Sequence, residues 1–304
     1  MMNNFIFENK TKVYFGKGGV KEYLGGLLAN FGETVMLAYG GGSIKCNGVY
    51  DEIMGILNAQ GKCVVEFSGI MSNPTYAKVQ EGAKLARENH VGLILAVGGG
   101  SVSDCCKVIS GAFDTLSHAM ETYFGKPDEN NLSDDTNEAA MRSVIRNIRI
   151  LLTDPENYDA RSELAQASAM AENGVLKIGK VTDFQAHQIQ HQLGAYTDCN
   201  HGAGLAVIHP VLYRHIYKSG TARFTRWAQN VWGIAPKGSD GETAAGIDAL
   251  AAFIKEIGLP ASFAELGIPA DTDFRAVADS TNITAGCCKK LTRDEICKIL
   301  QECL

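Results

Sequence analysis

GLILAVGGGSV, residues 92–102, decides the fold. The apolar run Gly92–Val97 is too short for a buried helix and has the length of a buried strand. Gly98-Gly99-Gly100-Ser101 follows it at once and opens a helix at Val102. A second copy of the device lies upstream. Thr34–Tyr39 (TVMLAY) reads as a strand and runs directly into Gly40-Gly41-Gly42-Ser43. Lys62–Phe67 (KCVVEF) reads as a third strand, and Gly48–Gln60 and Thr75–His90 between them have helical spacing. Strands alternating with helices imply βαβ units and a parallel sheet. Lys12–Phe15 reads as an additional edge strand.

Glycine turns at the carboxyl ends of parallel strands let backbone N–H groups approach a phosphate. Neither run is GxGxxG, and a single one is equally read as a plain tight turn. Two of them, where open α/β sheets bind ligands, favour a nucleotide.

From about Gly111 the texture changes to Ala, Leu, Ile, Glu and Arg. Glu138–Thr153, Arg161–Val175, Asp183–Leu193, Thr221–Val231, Glu242–Ile257 and Thr292–Cys303 are helical in pattern. The expected architecture is an α/β dinucleotide-binding domain over residues 1–110 and an all-α domain over 111–304.

Two constellations carry metal chemistry. Asp114 and His118 stand four apart in GAFDTLSHAMETYF, so one helix face presents both. A helix-capping Asp beside a surface His is the competing reading of that pair. In DFQAHQIQHQLGAYTDCNHGAGLA, residues 183–206, His187 and His191 are again four apart, and His201 follows a polar turn. Three of the seven histidines therefore lie between 187 and 201. Imidazoles completed by a carboxylate make an N₃O set suited to a divalent ion. His90, His209 and His215 lack such company and read as structural or surface residues.

Composition narrows the alternatives. The 304 residues carry a formal charge of −6, which argues against a nucleic-acid surface. No apolar run has membrane-spanning length and the N-terminus lacks a signal-peptide core, so a soluble cytoplasmic protein is expected. Nine cysteines without CxxC spacing read as reduced and packed.

Taken together, these segments resemble the iron-dependent (group III) alcohol dehydrogenases, in their butanol dehydrogenase and NADPH-dependent aldehyde reductase branch. The matching text is YGGGSIKCNGVYD (39–51), NPTYAKV (73–79), AVGGGSVSDCCKVIS (96–110), DTLSHAMETYF (114–124), AHQIQHQLGAY (186–196) and HGAGLAVIHP (201–210). The resemblance implies a dinucleotide-binding α/β domain and a helical metal domain with the active site between them, and a homodimer. It implies Asp114, His118, His187 and His201 as ligands of Fe²⁺, with Zn²⁺ or Ni²⁺ as alternatives. His191 matches a non-ligand position beside the nicotinamide, a candidate proton relay. Gly99, Gly100, Ser101 and Asp104 match the pyrophosphate and nicotinamide side. Gly41, Gly42, Ser43 and Lys45, with Asn73 nearby, match the adenosine-ribose end. Lys45 suits a 2′-phosphate, which favours NADP(H) over NAD(H). The implied reaction is hydride transfer between NAD(P)H and a primary alcohol or aldehyde such as butanol or butanal.

One departure stands out. The family continues its nucleotide domain after the helix corresponding to DCCKVIS, whereas here Ser110 is followed at once by Gly111 and the first ligand segment. A sheet shortened in this way should expose an edge and an apolar face. A non-catalytic metal-binding remnant that has lost its cofactor is therefore a second reading. A lyase of the same superfold, as in dehydroquinate synthases, is a third, and the paired ligand motifs argue against it.

Overall fold

The computed structural model describes residues 6–8, 12–70, 76–98, 105–127, 129–235, 240–283 and 288–304; of residues 76, 105–110, 240 and 242–243 it describes the backbone only. The chain divides into two compact units, Lys10–Cys105 and Cys106–Leu304 with Met1–Asn9.

The first unit contains α1 (Gly19–Leu28), β1 (Thr34–Tyr39), α2 (Ser43–Cys46), α3 (Val49–Ala59), β2 (Cys63–Phe67), α4 (Tyr76–Glu88) and β3 (Leu93–Val97). Its three described strands form a parallel sheet in the order β2-β1-β3. Side chains alternate across β1. Val35, Leu37 and Tyr39 pack with Leu28, Ile53 and Leu57, while Met36 and Ala38 pack with Phe67 and, on the same side, Leu85. The sheet is thus covered by α1 and α3 on one face and α4 on the other, which explains why β1 is continuously apolar. Passing from β1 to β2 and then back across β1 to β3 puts the crossover helices on opposite faces when both crossovers are right-handed. The order reverses between β1 and β3, and the chain leaves the carboxyl ends of those two strands at Gly40 and Gly98. That is where doubly wound sheets take their ligands.

Two expectations change here. Residues 12–15 have no regular structure, and Val13 and Phe15 are exposed, because none of the described strands pairs with them. The change of texture read at residue 110 falls inside a helix: α5 (Cys105–Tyr123) runs unbroken through Ser110 and Gly111, and the units part at its first turn. β3 pairs only with β1 among the described strands, and Ile94 is 59% exposed.

The second unit is helical: α5, then α6 (Leu132–Thr153), α7 (Tyr158–Glu172), α8 (Gln185–Thr197), α9 (His201–Ile216), α10 (Thr221–Trp232), α11 (Asp240–Glu256), α12 (Phe274–Ser280) and α13 (Arg293–Glu302). One apolar core runs through it, including Phe113, Phe124, Leu205, Tyr213, Phe224 and Trp227. Helix α9 was not legible in the sequence. Gly202, Gly204 and Pro210 all disfavour a helix locally, yet residues 202–209 are buried without a break. A helix apolar on every side belongs in a core, and that burial overrides the poor propensity. Beside the core lies a buried ionic knot. Asp134 Oδ1 is 2.7 Å from Lys180 Nζ and 2.8 Å from Arg223 Nη1.

Candidate metal centre

Three helices build the cluster. Asp114, His118 and Glu121 lie on α5 at spacings of four and seven, so they share a face. His187 and His191 stand one turn apart on α8. His201 is the first residue of α9, where the Asn200 side chain accepts from Ala203 N at 3.0 Å and fixes the helix start.

Asp114 Oδ1 is the common neighbour. It lies 3.3 Å from His187 Nε2, 3.4 Å from His201 Nε2 and 3.7 Å from His118 Nε2. The donor atoms of Asp114, His187 and His201 all fall within 4.8 Å of one another. Two ligands each about 2.1 Å from one ion at a tetrahedral angle are about 3.4 Å apart, so the spacing fits a divalent ion. Burial chemistry agrees. Asp114 Oδ1, His187 Nε2 and His118 Nδ1 are buried with no hydrogen-bond partner, a costly arrangement unless something binds there. His118 reaches the cluster but turns its Nε2 to Glu172 Oε1, 2.9 Å away. The His191 ring is exposed and stacks on His201, with centroids 5.2 Å apart.

Two residues unnoticed in the sequence orient the imidazoles. Buried Glu121 accepts a short hydrogen bond from His187 Nδ1 and a further one from Ala186 N at 2.6 Å. Gln190 Oε1 accepts a short one from His201 Nδ1. Each partner fixes the tautomer and leaves Nε2 directed at Asp114. Their spacing from the ligands, seven beyond Asp114 and three beyond His187, was the available signal.

Electrostatics follow from this packing. Burial pushes the Asp114 carboxyl up, but His187 and His201 outweigh it and hold it well below the usual range. Burial, reinforced by His187, lowers His118 to about 4. Burial also opposes a charge on His187, but Glu121 and Asp114 raise it to about 9. The burial of His191, with His201 and His187 nearby, lowers its pKa.

In the α/β unit, Gly41 and Gly42 have open space where a Cβ would stand, so the turn after β1 offers bare backbone to a ligand. Ser43 opens α2, and Lys45 on α2 lies 3.4 Å from Glu66 on β2. These features fit a dinucleotide. Asn73, Gly99, Gly100, Ser101 and Asp104 lie outside the described residues.

A glycine-turn α/β unit followed by a helical unit with an Asp–His cluster fits the class of metal-dependent enzymes that take a dinucleotide. Comparison makes this specific. The profile of the iron-containing alcohol dehydrogenases matches residues 10–142, and that of the C-terminal region of the Fe-containing alcohol dehydrogenase family matches residues 108–304. The chain belongs to the iron-containing alcohol dehydrogenase family.

It is 30% identical to the probable NADH-dependent butanol dehydrogenase 2 of Bacillus subtilis, with all of both chains covered. That alignment extends over 392 positions while this chain has 304 residues, so the surplus positions are gaps on its side. The NADPH-dependent aldehyde reductase YqhD of Escherichia coli is 26% identical over 88% of this chain and 90% of its own length. The crystal structure of NADH-dependent butanol dehydrogenase A from Thermotoga maritima superposes with a TM-score of 0.91 at 25% identity, over 99% of each chain.

Proposed function

We propose that this protein is a metal-dependent alcohol dehydrogenase or aldehyde reductase, passing hydride between NAD(P)H and a primary alcohol or aldehyde of the butanol and butanal class. The observation that carries the reading is Asp114 Oδ1 set within 3.7 Å of three imidazole Nε2 atoms. When bound, a divalent metal polarises an alcohol or aldehyde oxygen as a Lewis acid, and the nicotinamide carries the hydride.

The chain's own residues have separate tasks. Asp114, His187 and His201, joined by His118, hold the ion, with Fe²⁺ first and Zn²⁺ or Ni²⁺ as alternatives. Glu121 and Gln190 keep the two best-placed imidazoles in the ligating tautomer. Exposed His191, stacked on His201, exchanges the proton of the alcohol with solvent, a task suited to an imidazole. Gly41, Gly42, Ser43 and Lys45 take the adenosine end of the dinucleotide; Asn73, Gly99, Gly100, Ser101 and Asp104 complete its site, as the resemblance implies. The protein acts in the cytoplasm as a homodimer in this reading. Free thiols at Cys199, Cys297 and Cys303 support a reducing compartment, and none of the described helices is long and apolar enough to cross a membrane.

The test is oxidation of NADH and NADPH with butanal, abolished by chelation and restored by Fe²⁺ or Zn²⁺. Absence of turnover in every metal-loaded sample overturns the proposal. A second reading, a metal-binding remnant without catalysis, is favoured by α5 running straight through Ser110–Gly111 and by β3 pairing only with β1 among the described strands. It requires stoichiometric metal together with no affinity for either reduced cofactor.

A further inference from the structure

The resemblance matches Lys45 to the adenosine-ribose end, and the fold sets an acidic residue beside it. Glu66 is the penultimate residue of β2, in register with Leu37 of β1, and so stands at the carboxyl end of the strand next to the one that feeds the Gly40–Gly42 turn. The loop after β2 closes on that turn, with Gly69 N donating to Gly40 O at 3.0 Å. In dinucleotide-binding βαβ units an acidic residue at this place, some 20 residues beyond the glycines, accepts the ribose 2′-hydroxyl.

Glu66 is held ready for such a role. Its Oε1 accepts from Tyr50 OH at 2.5 Å, and its Oε2 accepts a short bond from Tyr39 OH and one from Lys45 Nζ at 3.4 Å. A carboxylate offers about four lone-pair sites; these three bonds leave one, on Oε1. The two tyrosine hydroxyls, Tyr39 first, lower the Glu66 pKa and keep it ionised at neutral pH. Neither partner is sealed off: the Lys45 and Glu66 side chains are 48% and 40% exposed. Lys45 also stands over the Tyr50 ring, 4.6 Å from its centroid, which restrains where its ammonium can point.

We propose that the Glu66–Lys45 pair sets the choice between NADH and NADPH, with the Glu66 carboxylate accepting a 2′-hydroxyl and repelling a 2′-phosphate, and the Lys45 ammonium doing the reverse. This rests on the dinucleotide reading above. A 2′-phosphate brings close to two negative charges against a carboxylate, and like charges set against each other are strongly selective. Glu66 therefore acts as the restraint on NADPH, whichever cofactor the protein prefers as a whole.

The test is binding, so turnover and metal loading do not enter it. NADH and NADPH are titrated into the full chain while the fluorescence of the reduced nicotinamide is followed. Glu66→Gln keeps the shape and removes the charge, its amide oxygen accepting from one tyrosine hydroxyl while its amide NH₂ donates to the other. It should lower the ratio of the NADPH Kd to the NADH Kd by about tenfold. Lys45→Met should raise the same ratio by a similar factor. An unchanged ratio in Glu66→Gln, with cofactor bound by the wild type, overturns this inference and leaves the dehydrogenase reading intact. Binding of neither cofactor by the wild type overturns both.

Discussion

Asp114 Oδ1 stands 3.3 Å from His187 Nε2, and neither buried atom has a hydrogen-bond partner. An anion and an imidazole nitrogen left in this state favour a bound cation. Asp114→Asn and His187→Ala should each reduce bound iron or zinc from about one per chain to near zero, measured by elemental analysis after dialysis. His118→Ala should retain a measurable fraction, because His118 Nε2 already points to Glu172. Full metal occupancy in His187→Ala would contradict the assignment.

Glu121 would act on a bound ion only through His187, whose Nδ1 it holds. Glu121→Gln keeps the shape but weakens the hold on the imidazole tautomer. Metal affinity should fall about 10–100-fold, read by competition with a chromophoric chelator, while the helical circular dichroism stays unchanged. An unaltered affinity would remove Glu121 from the account.

Gly204 is tied to the same site by contact. A Cβ there would stand 3.0 Å from Gln190 Cγ and 3.1 Å from its Nε2. Gly204→Ala should therefore displace the residue that orients His201. We expect a loss of roughly 1–3 kcal/mol of stability from overpacking, together with weaker metal binding. Denaturant titration with and without metal separates the two effects.

His209 should give the protein an acid-sensitive step. It is fully buried, its Nε2 is 2.6 Å from Ser117 Oγ, and burial lowers its pKa to about 4 from the ordinary 6.5. A depressed histidine pKa means that the unfolded chain takes up a proton the folded chain refuses. The stabilisation is therefore present above pH 6.5 and is lost as pH falls towards 4. Between pH 7 and 5 this is worth about 2 kcal/mol. His209→Gln should lose correspondingly less stability over that range, measured from urea midpoints. Identical pH profiles for the two proteins would refute the assignment.

The ionic knot predicts the largest purely structural effect. The Asp134 and Lys180 side chains are fully buried, and that of Arg223 is 5% exposed. Asp134→Ala leaves two buried cations without their shared anion and removes the capping partner of Asn131 N. It should cost about 3–5 kcal/mol, seen as a fall in the thermal midpoint, with metal stoichiometry unchanged in the protein that remains folded.

Local pattern alone determined several features of this protein. Continuous apolarity marked β1, because a strand covered on both faces has no polar side to show, and short apolar runs marked β2 and β3. Spacing of four placed Asp114 with His118 and His187 with His191, because helix geometry is set within a single turn. Tertiary structure decided what depends on the meeting of distant segments. Glu121 gained its role only when α5 met α8, and Glu66 became the neighbour of Lys45 only when β2 lay beside β1. Helix α9 formed against its own glycines and proline because the core surrounds it. The join at Ser110–Gly111, read as a break between family segments, lies within the second turn of α5, which runs through it unbroken. Short-range geometry is written in neighbouring residues, whereas burial and pairing are properties of the assembled chain.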